Sequence, residues 1–346
     1  MLSRLSCWYF HSKNEILNPF HRVHFISRIM ISPQMFRFSF IILILAAPSL
    51  EPAHAAPRKP IQVFILAGQS NMEGHGVIDA NPDQNDGKGT LEYLVKDQRT
   101  SEQYKHTVNS DGSWATRDDV WIEYLGRTGE LSVGFGARKQ FFGPELQFGH
   151  VVGSHFKEQV LIIKTAWGGK SLAGDFRPPS SGGDVGPFYT QMIKHVNDVL
   201  ANLEEHFPDY RGQGFQIAGF GWHQGWNDGL KHDTVNEYED NLKNLIRDLR
   251  KAFDTPNLPV VIANSGFGGK DQKIDRRLGI LNAQLNVAQH EDFKDSVFTV
   301  ETRPFFRSAE HSPSRQGYHW NHNAETHFLI GDHMGKAMIN LISTQN

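Results

Sequence analysis

The sequence predicts a three-layer α/β fold in which helices cover both faces of a mainly parallel sheet. Short apolar runs rich in β-branched residues recur along the chain, and segments with helical periodicity separate them. Near-continuous apolar runs are typical of strands buried on both faces. Strands that alternate with helices indicate a parallel sheet with right-handed crossovers.

Five apolar runs are the predicted strands, and they are followed by helices in chain order. The strands are predicted at residues 61–67, 160–165, 215–222, 259–263 and 296–302. Apolar residues spaced by three and four predict helices at 193–207 and 238–253, and two more are expected at 274–290 and 324–342. We expect residues 58–346 to form a single domain, with an insertion at about 79–142 that could shape a substrate cleft.

The N-terminal segment has the features of a secretory signal. A short apolar run at 38–48 follows Arg37 and precedes small residues, which predicts a signal peptide at 30–55 with cleavage after Ala55. Residues 1–29 would then be an upstream extension without function. The run is shorter than the roughly 20 residues of a membrane span. The expected mature protein is therefore secreted or periplasmic, with no stable membrane span.

Composition excludes several classes of function. The single cysteine, Cys7, precedes the predicted cleavage point, so the mature form would hold no thiol nucleophile, zinc–thiolate site or disulfide. The net charge of −3 and the lack of a sustained basic stripe argue against a nucleic acid partner.

Polar and glycine residues follow several predicted strands at their carboxyl ends. Ser70 follows the first strand, Gly168 and Gly169 the second, Gln224 the third, and His319 lies in the loop after the fifth. In open α/β sheets, ligands bind at this edge. A serine becomes a nucleophile when an imidazole takes its proton. The backbone N–H groups of Ser70 and of Gly168 or Gly169, with the Gln224 amide, would then form an oxyanion hole.

Four motifs carry a resemblance to a known family. They are FILAGQSNM (64–72), TAWGGKSL (165–172), WHQG (222–225) and YHWNHNAETHFLIGDHMGKAM (318–338). In this order they resemble the sialate O-acetylesterase-like and acetylxylan-esterase-like branch of the SGNH hydrolase superfamily. The resemblance implies a flavodoxin-like, five-stranded parallel sheet and ester hydrolysis without a metal or organic cofactor. It also implies that Ser70 is the nucleophile and His319 the base.

The chain departs from the family pattern at the residue that should orient the base. The superfamily usually has Asp three residues before the catalytic histidine, where this chain has Gln316. A carboxylate there would fix the imidazole tautomer and stabilise its charged form. Glu301, at the end of the fifth strand, is the preferred substitute because a strand end is a rigid platform. A structural partnership of Glu301 with Arg303 or Arg307 is an equal alternative. Glu310, in the following loop, is the less preferred candidate for the acid, and a Ser–His dyad also remains open.

Aromatic and amide side chains beside these motifs are candidates for binding a sugar. Indole rings can stack on the apolar faces of sugars, and amides can bind hydroxyl groups. The expected substrate-lining residues are Asn71, Trp167, Trp226, Gln316 and Trp320.

The function expected from the sequence is removal of O-acetyl groups from carbohydrates through an acyl-enzyme intermediate. Two alternatives remain open. The first is a non-catalytic carbohydrate-binding protein, which the missing Asp favours. The second is a hydrolase that uses a histidine-bound metal, and the candidate ligands would come from His311, His319, His322, His327 and His333. No metal is expected, because the spacing matches no established motif. The sequence leaves the sugar and the oligomeric state open.

Overall fold

A computed structural model describes residues 58–345, so the predicted signal peptide and upstream extension lie outside the described residues. The strands are β1 (Ile61–Gly68), β2 (Gly76–Val77), β3 (Arg117–Tyr124), β4 (Arg127–Leu131), β5 (Phe141–Phe142), β6 (Val160–Ala166), β7 (Phe215–His223), β8 (Val260–Ala263) and β9 (Val297–Val300). The helices are α1 (Ser70–Glu73), α2 (Leu91–Lys96), α3 (Ser101–Tyr104), α4 (Glu145–His155), α5 (Pro187–Ala201), α6 (Leu203–His206), α7 (His232–Asn236), α8 (Tyr238–Ala252), α9 (Asp275–Gln289) and α10 (Ala324–Gln345).

The main sheet confirms the predicted fold class. Its strand order is β4-β3-β6-β1-β7-β8-β9, and the five strands predicted from the sequence form the parallel block β6-β1-β7-β8-β9. This is the flavodoxin-like arrangement, in which the first strand is central and later strands add on either side. The carboxyl ends of β1, β6 and β7 therefore lie side by side.

The sheet has seven strands rather than five, because the insertion contributes two. Strand β3 pairs in parallel with β6, and β4 pairs with β3 as an antiparallel hairpin at the edge. The short strands β2 and β5 pair with each other. The insertion thus extends the sheet, and the site cavity described below is lined by no residue from 79–142.

The core lies on both faces of the sheet because β1 is apolar on both. Val63 and Ile65 point into one cluster, and Phe64 and Leu66 point into the other. All four are fully buried, which contributes about 1.5–3 kcal/mol for each side chain. Residues from α5, α8 and α9 complete the first cluster, and residues from α4 and α10 complete the second. Among residues 58–345, no helix is long and apolar enough to cross a membrane.

Candidate active site

Ser70 lies at the carboxyl edge of the sheet, directly after the central strand β1. Gly68 ends β1 with φ +153°, and a Cβ there would lie 2.2 Å from the carbonyl oxygen of His223. Only glycine therefore allows β1 and β7 to approach so closely at this edge. Gln69 is the N-cap of α1, and Ser70 is its first helical residue. Ser70 is 8% exposed, and it lines a cavity.

A buried ion pair fixes the short helix that carries Ser70. Lys164 on β6 is fully buried and lies 2.8 Å from the carboxylate of Glu145. The Lys164 ammonium also donates to the carbonyls of Glu73 (2.6 Å) and Phe135 (2.8 Å). Although burial lowers the pKa of Lys164, these acceptors satisfy its donors. The end of α1 is thereby tied to the neighbouring strand.

The loops after β6 and β7 meet beside Ser70. Gly169 has φ +71°, a conformation that favours glycine. The side-chain amide of Asn227 donates to the Gly169 carbonyl at 2.6 Å. The side-chain oxygen of Gln69 accepts from the Gly225 backbone N–H at 3.1 Å. These bonds join the three strand ends into one rigid rim.

The loops enclose a cavity of about 190 Å³. It is lined by Gln69, Ser70, Asn71, Gly169, Trp226, Asn227, Tyr318 and His319. The structure therefore brings the predicted nucleophile and the predicted base, which come from opposite ends of the domain, to the same cavity. Within residues 58–345 no hydrogen bond joins Ser70 to His319.

His319, the predicted base, lies on a strained left-handed turn. Residues 319–322 all have positive φ, between +52° and +62°, which is unfavourable for residues other than glycine. The Asn321 side chain holds this turn by accepting from the Gly317 backbone N–H at 2.8 Å and donating to the Arg307 carbonyl at 3.0 Å. Such strain is characteristic of functional sites, and here it presents the His319 ring to the cavity.

Two other imidazoles surround His319. The His75 ring stacks on it, with ring centroids 3.8 Å apart and planes 10° from parallel. The His322 ring lies 5.7 Å away. Burial, reinforced by His75 and His322, lowers the pKa of His319 to about 3. At neutral pH the ring is therefore uncharged.

The three histidines are also a potential metal-binding set. One nitrogen from each lies within 4.8 Å of the others, and imidazole suits zinc. Ligand lone pairs lie in the ring planes and must converge on the ion, whereas the rings of His75 and His319 are stacked face to face. Their present arrangement does not form a coordination site. His75, which follows the GQSNM motif, was missing from the sequence-based set of candidate ligands.

Gln224 does not face the cavity. Its side-chain N–H groups donate to the Lys170 carbonyl at 2.9 Å and to Asp228 at 2.6 Å, and the residue is 1% exposed. Both donors are thus occupied, and the predicted oxyanion role of Gln224 is not supported. Asn227, three residues later, lines the cavity, as do the amide residues Gln69 and Asn71. Gly169 also lines it, whereas Gly168 packs against the Glu73 carboxylate.

Neither predicted acid reaches the base. Glu301 accepts two hydrogen bonds from the Arg303 side chain and lines a separate cavity between β9 and α10. Burial by itself would raise the pKa of Glu301, but hydrogen bonding from Arg303 holds that pKa below its ordinary value. This corresponds to the structural alternative raised by the sequence. Glu310 is exposed and lines another depression, beside Tyr93.

The predicted substrate-lining residues divide into two groups. Asn71 and Trp226 line the cavity, and the side-chain oxygen of Asn71 is buried there without a hydrogen-bond partner among the described residues. Trp320 is fully buried, and its ring N–H points at His223. Trp167 and Gln316 do not line the cavity. Trp167 packs against aromatic side chains, and Gln316 is exposed to solvent.

Residues 60–340 match the model of the family described as carbohydrate esterase, sialic acid-specific acetylesterase. The chain belongs to this family. It is thus a carboxylic ester hydrolase, and the SGNH-type resemblance of its motifs agrees with that membership.

Individual relatives of this esterase are distant. A probable carbohydrate esterase of Arabidopsis thaliana is 23% identical over 233 residues, which are 66% of this chain and 79% of the relative. The crystal structure of a protein from the same plant has a TM-score of 0.54 at 18% identity, covering 81% of this chain and 98% of the other. A carbohydrate acetylesterase from Xanthomonas citri has a TM-score of 0.52 at 12% identity, covering 82% and 57%. These structural similarities concern the fold.

Proposed function

We propose that this carbohydrate esterase removes O-acetyl groups from sugars through an acyl-enzyme intermediate formed on Ser70. The observation that carries the proposal is the shared cavity, which Ser70, His319 and Asn227 line together. Serine, imidazole and neutral hydrogen-bond donors are the groups that acyl transfer requires.

The first half of the reaction forms the acyl-enzyme. The Ser70 oxygen attacks the ester carbonyl while His319 accepts the serine proton, giving a tetrahedral intermediate. The Asn227 amide and the backbone N–H groups of Ser70 and Gly169 donate to its oxyanion. The C–O bond to the sugar then breaks, and the imidazolium gives the proton to the departing sugar oxygen, which leaves as a hydroxyl group.

The second half releases acetate. His319 takes a proton from water, and the resulting hydroxide attacks the acyl carbon. Collapse of the second intermediate returns the proton to Ser70. Because burial and neighbouring histidines oppose the charged form of His319, the imidazolium depends on the adjacent oxyanion for stabilisation. Positive charge on His319 and negative charge on the oxyanion therefore develop together.

The dimensions of the cavity support a small acyl group. Its volume of about 190 Å³ is below the roughly 300–1,000 Å³ of sites that enclose drug-sized ligands. An acetyl group would enter, while the sugar would remain at the rim. Trp226 and the exposed Tyr318 lie there with ring centroids 6.2 Å apart, offering apolar surfaces for a sugar ring.

The test is acetate release from p-nitrophenyl acetate and from a panel of O-acetylated glycans, with wild-type protein and Ser70→Ala. We expect turnover by the wild type that falls at least about 10³-fold in Ser70→Ala. Equal turnover by both proteins would refute the serine mechanism, and loss with a chelator would favour the metal alternative. Absence of turnover on every ester would favour the carbohydrate-binding alternative, which the lack of a carboxylate partner for His319 keeps open.

We also propose that the mature esterase is secreted or periplasmic. The support is the signal-like segment at 30–55. Mass spectrometry of the N-terminal peptide from the producing cell should find Ala56 as the first residue. Recovery of residues 30–55 in the mature protein would contradict this location.

A further inference from the structure

His319 lacks the partner that usually orients a catalytic imidazole. Gln316, at the position of the usual Asp, is exposed, and within residues 58–345 no hydrogen bond to the His319 ring is found. A base must be held in a productive orientation, since a displacement of about 1 Å can cost roughly 10²-fold in rate. Some other contact must supply this restraint.

We infer that His75 is the positioning residue for His319, holding the base by face-to-face stacking in place of a carboxylate. This inference rests on the proposed function. The two rings are 3.8 Å apart and 10° from parallel, so the His75 ring covers one face of the base. Tyr318 contacts His319 edge-on, with centroids 4.7 Å apart and planes 80° apart. Together they restrict both the position and the plane of the imidazole.

His75 is itself held firmly. It lies between Gly74 and Gly76, and a Cβ at Gly74 would lie 2.2 Å from the Cα of Gly143. The loop is thus packed directly against the start of α4. Phe141 contacts the His75 ring at 5.5 Å, and only 14% of the His75 side chain is exposed. A ring restrained by its backbone and its neighbours can restrain a second ring.

A carboxylate lies close to His75. The Glu73 carboxylate is 3.8 Å from Nε2 of His75, which is beyond hydrogen-bond distance but within the range where opposite charges interact appreciably. The Glu73 carboxylate is therefore close enough to interact with the His75 ring.

The geometry favours stacking over metal coordination. Two rings bound tetrahedrally to one zinc ion would have centroids about 5 Å apart, given Zn–N bonds of about 2.0–2.1 Å. The distances from His322 to His75 and His319, 5.6 and 5.7 Å, approach this value. The distance of 3.8 Å between His75 and His319 is too short.

The test compares His75→Phe, which retains a flat ring, with His75→Ala, which removes it. Rates are measured on p-nitrophenyl acetate, alongside Ser70→Ala and with and without chelator. We expect His75→Ala to lower kcat by about 10- to 100-fold with KM within about 2-fold, and His75→Phe to restore most of the loss. The rate at which a fluorophosphonate labels Ser70 should change in parallel.

Each other outcome overturns the inference in a different way. Wild-type kcat in His75→Ala would show that the stack does not position the base. Equal impairment of His75→Phe and His75→Ala would show that a ring nitrogen is required, and chelator-sensitive activity restored by zinc would identify that nitrogen as a metal ligand. Failure of the proposed function is distinguishable, because it appears as turnover unaffected by Ser70→Ala or as an inactive wild type.

Discussion

Two cavities of this esterase differ in size and in chemistry. The cavity between β9 and α10 is about 660 Å³, is mainly apolar and contains Glu301 and His333. The cavity at the strand ends is about 190 Å³ and contains Ser70 and His319. In the larger one, the carboxylate is already bound by Arg303. In the smaller one, the hydroxyl and the imidazole have no hydrogen-bond partner among residues 58–345. The smaller cavity therefore holds a hydroxyl and an imidazole that are free to act on a ligand, whereas the carboxylate of the larger cavity is already paired.

The largest effect should come from removing the base in the small cavity. His319→Asn should lower kcat/KM on p-nitrophenyl acetate by at least about 10³-fold, because the amide cannot accept the serine proton. Asn tolerates positive φ, so the turn at 319–322 should persist. His333→Asn in the large cavity is the control and should retain activity within about 2-fold. Equal activity in His319→Asn and His333→Asn would contradict the assignment of catalysis to the small cavity.

The next largest effect should come from the amide on the rim. Asn227→Ala should lower kcat by about 10²- to 10³-fold, the usual cost of losing one oxyanion donor, with a smaller change in KM. Steady-state kinetics on the same ester measure both constants. Glu301→Gln in the large cavity should leave kcat unchanged. If Glu301→Gln lowered kcat and Asn227→Ala did not, the reaction would have to occur in the cavity between β9 and α10.

A smaller effect should separate sugar binding from catalysis. Trp226→Ala should raise KM for an acetylated sugar about 10-fold, as expected for loss of one ring-stacking contact, and should leave p-nitrophenyl acetate hydrolysis nearly unchanged. Phe298→Ala, which alters an exposed aromatic of the large cavity, should affect neither. A rise in KM for both substrates in Trp226→Ala would indicate that the indole contacts the acyl group, which both substrates share, rather than the sugar.

The smallest expected effect is on the pH dependence of the free energy of unfolding. Burial lowers the pKa of His223 and of His322 to about 4, and that of His319 to about 3. The unfolded chain therefore binds more protons than the folded chain below about pH 6.5, so the free energy of unfolding should fall as pH drops from there towards 4. Thermal unfolding at pH 7, 6 and 5 should show a shallower loss in His322→Asn than in the wild type. Parallel curves would mean that His322 is protonated in the fold.

The sequence predicted the layers of the fold and the two residues, Ser70 and His319, that the fold brings to one cavity, because these depend on local patterns. Buried strands such as β1 and β6 are near-continuous apolar runs, and Ser70 and His319 lie in recognisable motifs. The edge hairpin β3–β4 was missed because only part of it is buried. Residues Val120 and Ile122 are covered, whereas Asp118 and Asp119 are exposed.

The finer errors concern side-chain direction in loops, which tertiary contacts determine. Gln224 and Asn227 both follow β7, and hydrogen bonds to Lys170 and Asp228 turn the first away from the cavity. Trp226 and Trp320 both flank motifs, yet Trp320 is fully buried. His75 lies far from His319 in sequence, so only folding reveals their stack. His75 lies three residues beyond the segment, 64–72, that carried the resemblance.

The most direct test of the account is covalent labelling of Ser70 by a fluorophosphonate, followed by peptide mass spectrometry in wild type and His319→Asn. The account predicts an adduct on the Ser70 peptide of the wild type and labelling at least about 10²-fold slower in the variant. An adduct on another residue, or equal labelling rates in the two proteins, would contradict the pairing of Ser70 with His319.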